Sequence, residues 1–420
     1  MKILIQSARI LNAASPFHKK TKNVLIRNGR IAEIGDKKYV ADKVIDAAGM
    51  ILSTGWFDLG AYVGDPGFEQ KEDLVSLGKV AAAGGFTELA ILPNTNPSIQ
   101  TKNEIRYINS GNDGRLVQFY SLASVTRNNK GEELTEMIDS REAGAVGFTD
   151  GLKPVWHTDI FLKALQYLQK FDGLLIDHPE DTWLNMFGQM HEGVVSTTLG
   201  LKGMPDIAEE LAIIRNLELL RYAGGRLHLA RLSSAKGMEL MRTAKKKGLS
   251  ASCDITAYQC LLEDKLLQDF DTNYKVNPPL REKADGVALL GGLTDGTIDV
   301  ICSGHVPQDE ESKNLEFDLA DFGLINLQTF ASNLTQLSAH VKWDVLIEKV
   351  TTNPRQLLRI PVPVIDVDQK ANLTLVDPSC EWVLDGATNL SKSKNSPWWG
   401  KKIKGKAMAV FNNGRNFLDV

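Results

Sequence analysis

Residues 71–97, KEDLVSLGKVAAAGGFTELAILPNTNP, contain the pattern that decides the fold. A helical stretch that ends at Gly84-Gly85 is followed by a short apolar run, 87–92, and then by a polar turn. Helices that alternate with short apolar strands are typical of α/β proteins with a parallel sheet. This segment therefore predicts one helix–strand unit of such a sheet.

The same alternation continues through the middle of the chain. The candidate strands are 56–59, 87–92, 116–122, 145–148, 173–177, 226–231, 250–255 and 298–303. Eight strand–helix units over about 310 residues predict a TIM barrel, although a doubly wound sheet remains an alternative on spacing alone. In a TIM barrel the active site lies at the C-terminal ends of the strands, so chemistry is expected there.

The two ends of the chain resemble each other and differ from the middle. VLIRNGRIAEIG (24–35) and AVFNNGRNF (409–417) each alternate apolar and polar residues around an Asn-Gly pair. Asn-Gly between alternating strands predicts a hairpin, because a type I′ turn needs positive φ at both central residues. We predict a small β-sandwich domain built from 1–52 and 366–420, with the barrel domain between them at 53–365.

Composition excludes several classes of protein. The 420 residues are 43% hydrophobic and 24% charged, with a net charge of −4, so neither disorder nor a nucleic-acid or anionic-membrane partner is indicated. There is no apolar run long enough to span a membrane, and MKILIQSARI (1–10) lacks the core of a secretory signal. The four cysteines show no CxxC spacing, which favours free thiols and a cytoplasmic location.

Several segments in order along the chain resemble those of type I dihydroorotases, members of the amidohydrolase superfamily. They are 71–97 above, LGLKGMPDIAEE (199–210), KVNPPLR (275–281), GTIDVI (296–301), TTNPRQLL (351–358) and SKSKNSPWWG (391–400). The resemblance implies an amidohydrolase TIM barrel with a terminal β-domain. It also implies a hydrolase of pyrimidine biosynthesis that interconverts dihydroorotate and carbamoyl-aspartate, using a zinc-bound hydroxide and a catalytic aspartate.

The first metal motif of that family is altered in FDLGAYVGDPG (57–67). The two histidine positions are Gly60 and Tyr62, and the substrate-binding arginine position is Gly64. Glycine offers no donor, and tyrosine ligates a metal only as a phenolate, which is unusual near pH 7. We therefore expect no metal ligand from this strand.

The remaining metal positions are only partly retained. The family's metal aspartate and one histidine match Asp150 and His178, whereas a second histidine matches Arg231, which has no lone pair to donate. The catalytic aspartate position is Gly304, and the substrate-contacting histidine after it is Gln308. Four of six metal-site positions are thus replaced, and Asp150 and His178 are a vestigial pair.

Other residues near the strand ends allow two interpretations. Asn94 and Asn277 match family positions that hold the substrate, but Asn-x-Asn-Pro and Asn-Pro-Pro are also ordinary turn formers. Tyr258 stands within the place of a Pro-His-His motif after strand 7, and Arg231 could replace the metal electrostatically. We expect His228 and His305 to have structural roles.

Three functions follow from this mixture of retained scaffold and lost ligands. The first is a catalytically inactive dihydroorotase homologue that acts as a structural partner of aspartate transcarbamoylase, with no cofactor. The second is an active dihydroorotase or other cyclic amidohydrolase with zinc. The third is a metal-free sensor or assembly protein like the dihydropyrimidinase-related proteins. The resemblance also implies a homodimer.

Overall fold

The computed structural model describes residues 1–37, 39–112 and 114–419, and its centre is a parallel barrel. Eight strands lie in sequence order around it, each hydrogen-bonded in parallel to the next. Barrel strands 1 to 8 are Trp56–Ala61, Phe86–Ile91, Gln118–Ala123, Gly147–Phe148, Leu174–Asp177, Arg226–Leu229, Ala251–Thr256 and Val300–Cys302. This order confirms the TIM-barrel prediction and excludes the doubly wound alternative, whose strand order reverses.

Side-chain and backbone contacts at the C-terminal ends join barrel strands 1 and 8. The backbone N–H and the hydroxyl of Ser303 each donate to Asp58, both at 2.6 Å. The backbone N–H of Tyr62 donates to the carbonyl of His305 at 3.1 Å. Asp58 is fully buried, so its carboxylate is a structural group of the barrel.

Helices cover the outside of the barrel, and the first shows why 71–97 is so informative. Asp73 caps helix Leu74–Gly84 by accepting from the N–H groups of Val75 and Ser76, and Gly85 ends it with a φ of 100°. The other helices are Lys102–Asn109, Met137–Glu142, Thr158–Leu168, Val194–Leu199, Asp206–Ala223, Ala235–Lys246, Lys283–Asp295, Glu310–Lys313, Phe330–Leu337, Trp343–Val350 and Thr352–Leu358.

The two ends of the chain form one mixed sheet of eight strands. These are Lys2–Leu11, Thr21–Arg27, Arg30–Gly35, Lys43–Asp46, Ile51–Thr54, Leu373–Val383, Lys402–Asn412 and Arg415–Leu418. Both predicted hairpins are confirmed, since Asn28 and Gly29 have φ of 51° and 73°, and Asn413 and Gly414 have 50° and 72°. The antiparallel pair between Ile51–Thr54 and Leu373–Val383 joins the N-terminal and C-terminal strands.

A buried ion pair holds the base of the barrel, where the strands begin. Arg355, which has no exposed surface, donates from Nε to Glu88 at 2.9 Å and from Nη2 to the carbonyl of Gly55 at 2.8 Å. Asn372, directly before strand Leu373–Val383 of the terminal sheet, donates to the same glutamate at 2.8 Å. One charged cluster therefore ties barrel strands 1 and 2 to the C-terminal part of the chain.

In the described part of the chain, no helix is both long enough and apolar enough to cross a bilayer. All four cysteines are free thiols, and Cys253 and Cys302 are buried in the barrel.

Candidate functional site

A cavity of about 400 Å³ opens at the mouth of the barrel, where the C-terminal ends of the strands meet. Its wall comes from loops after barrel strands 1, 4, 5, 6, 7 and 8. The polar and charged residues that line it include Tyr62, Lys153, His178, Arg231, Tyr258, Asn277, Gln308 and Asp321. The mouth thus brings together most of the positions singled out in the sequence, at the end of the barrel where they were expected.

The end of barrel strand 1 supplies no metal donor to this cavity. Burial, with smaller contributions from Asp321 and Asp309, raises the pKa of Tyr62 to about 12, so the phenol is protonated at neutral pH. Gly60 has a φ of 106° and no side chain. A Cβ at Gly64 would lie 2.0 Å from the carbonyl oxygen of Phe68, so no arginine fits there without moving the backbone.

The carboxylate of Asp150 is engaged by the loop after barrel strand 3. Its Oδ1 accepts from the N–H groups of Val125 at 3.0 Å and Thr126 at 2.9 Å, and its Oδ2 accepts from the Thr126 hydroxyl. Burial raises the pKa of Asp150 to about 7. These hydrogen bonds favour the ionised form and lower the pKa, but their effect is smaller than that of burial. The residue is fully buried and does not line the cavity. Its contacts are those of a loop anchor.

His178 faces the carboxylate of Glu180, two residues further along the chain. Its Nε2 lies 3.3 Å from Oε2 of Glu180, and its Nδ1 is buried without a hydrogen-bond partner in the described residues. Burial opposes a low pKa for Glu180, but hydrogen bonds from His178, Asn277 and Asn185 hold that pKa below its usual value. His178 and Asp150, the vestigial pair, therefore have separate partners.

Arg231, predicted from the sequence to stand in the place of a metal histidine, crosses the barrel mouth. Its backbone N–H donates to Asp254 at 2.7 Å, and its Nη2 donates to the carbonyl of Gly60 at 3.0 Å. Only 6% of the residue is exposed. A cationic guanidinium thus reaches from the end of barrel strand 6 to the first histidine position on strand 1.

Neighbouring side chains fill the space beside Gly304, the predicted position of the catalytic aspartate. Gly304 has a φ of 64°, and a Cβ there would lie 2.6 Å from the ring of Tyr258 and 2.7 Å from Thr256. Burial, opposed by the nearby Arg231, raises the pKa of Tyr258 to about 12. A neutral phenol therefore stands beside the place of the family's proton carrier. Nothing in the sequence alone indicated that Tyr258 would occupy this space.

The vestigial substrate residues lie in two different environments. Asn94 donates to the carbonyl of Asp150 and accepts from the N–H of Leu152, both at 2.9 Å, so its amide shapes the loop after barrel strand 4. Asn277 donates to Glu180 at 2.9 Å and still lines the cavity. Gln308 donates to the carbonyl of Phe322 at 2.8 Å. Of these three amides, Asn94 is the one that does not line the cavity.

The two other histidines near the strand ends have partners inside the protein. Both ring nitrogens of His228 are hydrogen-bonded, to Ser252 and Asp254 at 2.8 Å each. The Nδ1 of His305 accepts from the N–H of Asn326 at 3.1 Å. Both histidines are fully buried, which agrees with the expected structural roles.

The donors present at the mouth do not fit a catalytic zinc. Such a site needs about three nitrogen, sulfur or carboxylate ligands around one point. Within 1–37, 39–112 and 114–419, no three His, Cys, Asp or Glu residues are grouped so that they could hold a metal. The guanidinium of Arg231 also places a positive charge at this position, which disfavours a second cation.

Comparison with known proteins agrees with this architecture. A family model described as dihydro-orotase-like matches residues 49–237. A curated dihydroorotase of Pelotomaculum thermopropionicum is 38% identical over 99% of the chain and 98% of its own length. One of Geobacter sp. strain M21 is 36% identical over 99% of each chain.

Solved structures with the same fold are more distant in sequence. The L-hydantoinase (dihydropyrimidinase) of Arthrobacter aurescens matches with a TM-score of 0.85, at 20% identity over 99% of this chain and 96% of that one. A D-hydantoinase matches with a TM-score of 0.83 at 22% identity, over 100% and 95% of the two chains. At these identities the match is evidence for the fold alone.

Proposed function

This chain belongs to the dihydroorotase family, and from that premise we propose that it is a non-catalytic member. Its role, in this proposal, is that of a structural partner of aspartate transcarbamoylase in pyrimidine biosynthesis. The observation that carries the proposal is the Arg231 guanidinium, bonded at 3.0 Å to the carbonyl of Gly60 where metal ligands belong. A fold that is retained without metal-ligating side chains supports a structural role rather than a catalytic one.

The chemistry of the remaining side chains supports the loss of turnover. Hydrolysis of a cyclic amide needs an activated water and a group that moves a proton. The proton-carrier position is Gly304, and the nearest replacement, Tyr258, has a pKa of about 12, far from the range useful for a base at neutral pH. Removing a general base alone typically lowers the rate about 10²–10⁴-fold.

Zinc content and turnover together test whether the chain is catalytic. The protein is purified from zinc-supplemented cells beside the Pelotomaculum relative as a positive control. We expect less than about 0.1 equivalent of zinc, since a catalytic site needs about three protein ligands, and no hydrolysis of L-dihydroorotate. Stoichiometric zinc with turnover would contradict the proposal and support the alternative, an active dihydroorotase or other cyclic amidohydrolase.

Co-expression tests the partner. A tagged chain is produced with the aspartate transcarbamoylase of the same genome, and the complex is examined by affinity capture and size-exclusion chromatography. We expect the two proteins to elute together at a constant ratio. Separate elution at micromolar concentrations would contradict the proposed partnership without affecting the conclusion about catalysis. The expected homodimer is measured in the same experiment, from the mass of the chain alone.

A further inference from the structure

The guanidinium at the barrel mouth forms no direct ion pair with any described residue. Its one hydrogen bond goes to the carbonyl of Gly60, and its other N–H groups donate to no described residue. The other buried arginines differ, because Arg281 lies 2.7 Å from Asp206 and Arg355 lies 2.9 Å from Glu88. Burial raises the pKa of the nearby Asp58, although Ser303 and Arg231 act to lower it, so this carboxyl group balances the guanidinium only in part. A buried charge that is incompletely balanced is unfavourable, so Arg231 can gain from a bound anion.

Two carboxyl groups near Arg231 are hydrogen-bonded to other groups. Both oxygens of Asp58 accept from Ser303, and Asp254 accepts from the backbone of Arg231 and from His228. The carboxylate on the cavity wall, Asp321, is 3.0 Å from the ammonium of Lys71. The guanidinium of Arg231 is therefore not neutralised by a direct ion pair with any described residue.

The rest of the wall offers donors to an anion. Tyr62 and Tyr258 each have a pKa of about 12, so their hydroxyl groups keep their protons. Lys153 adds a second positive charge at the exposed rim. Phenol, ammonium and guanidinium groups around a cavity of about 400 Å³ suit a small organic anion.

We infer that this cavity binds a small organic carboxylate, with one carboxylate group on the Arg231 guanidinium. The position at which the family holds a cation has thus become an anion site. Gly64 and Gln308, at positions where the family has substrate-contacting residues, offer no positive charge, so Arg231 is the buried cation of the cavity that a carboxylate can bind. The inference rests on the proposed function, since it requires that no metal occupies this place.

Titration calorimetry with succinate and malonate tests the site at constant ionic strength. We expect both anions to bind the wild type saturably. Their affinity for Arg231→Met should be lower by at least about ten-fold, because hydrogen bonds between charged groups are stronger than those between neutral groups. Arg242→Met, at an exposed ion pair with Asp295, is the matched control and is expected to bind like the wild type. Succinamide, which has the same size without charge, is expected not to bind.

Tyr258→Phe provides a second variant if Arg231→Met does not fold. It removes one hydroxyl donor with little change of shape, and we expect it to weaken succinate binding a few-fold. Three results would overturn the anion site: no binding up to about 50 mM succinate, equal binding by Arg231→Met, or an equal response to succinamide. Bound zinc with turnover would contradict both the non-catalytic function and the anion site. Zinc-free protein that does not bind succinate would contradict only the anion site.

Discussion

Two buried arginines lie at opposite ends of the barrel, and their partners differ. Arg355 at the base donates to Glu88 and to the carbonyls of Gly55 and Thr351. Arg231 at the mouth donates to one carbonyl and faces a cavity. The charge at the base is neutralised within the fold, so it serves stability. The charge at the mouth has no direct ion pair among the described residues, and in our proposal a bound anion neutralises it.

The largest effect is expected from removing the arginine at the base. Arg355→Met leaves Glu88 buried without its ion pair, and we expect the free energy of unfolding to fall by about 3–5 kcal/mol. Urea denaturation measures this change. Arg242→Met at the surface should cost less than about 1 kcal/mol. A similar loss in both variants would show that the base cluster has no special role.

The next largest effect on stability is expected from Gly304→Asp, which restores an aspartate at the predicted catalytic position. Gly304→Asp places a Cβ against Tyr258 at a φ of 64°, so we expect a loss of stability and no dihydroorotase activity. Gly296→Asp is the matched control, because Gly296 has a φ of 82° but nothing within 4 Å of a Cβ. The packing cost at Gly304 should exceed the control by about 1–3 kcal/mol in urea denaturation. Equal costs would mean that Tyr258 moves aside easily.

The mouth should also show a pH dependence that comes from buried lysines. Lys313 donates to the carbonyls of Asp321 at 2.8 Å and Gly323 at 3.1 Å, in the loop after barrel strand 8. Burial, with nearby Lys275, lowers the pKa of Lys313 to about 7. An unfolded lysine titrates near 10.5, so between these values the unfolded state binds more protons and stability rises with pH.

Comparison of Lys313→Met with the wild type isolates this contribution. Between pH 8 and 10 the wild type should gain stability relative to the variant by up to about 1.4 kcal/mol per pH unit. Exposed Lys246→Met serves as the control and should follow the wild type. Urea denaturation across this range gives the slopes. A parallel pair of curves for Lys313→Met and wild type would show that Lys313 is charged in the folded protein.

The smallest effect is expected from the arginine at the mouth. Arg231→Met removes a buried charge without leaving a direct carboxylate partner unpaired, so we expect the free energy of unfolding to change by less than about 1 kcal/mol. This result, beside the large loss in Arg355→Met, would confirm the contrast between the two ends. A loss of several kcal/mol would instead mean that Arg231 holds the barrel closed through Gly60.

Much of the fold could be predicted from the sequence because its signals are local. The Asn-Gly pairs at Asn28-Gly29 and Asn413-Gly414 predicted hairpins that the structure has, since positive φ is a property of those residues themselves. Each of the eight candidate strands overlaps an observed barrel strand, although strand 6 ends at Leu229 rather than at 231. The residues Gly60, Tyr62 and Arg231 at the predicted histidine positions are equally plain in the sequence, because folding cannot supply a side chain that a position lacks.

The contacts that define the site required the tertiary structure. Glu180 as the partner of His178, the loop anchored by Asp150, and Tyr258 in the space beside Gly304 all depend on how neighbouring strands align. Arg231 and Gly60 are 171 residues apart in sequence. Only closure of the barrel brings them within hydrogen-bond distance. The sequence by itself determined which groups are absent from the mouth, whereas the packing of eight strands decided which groups took their places.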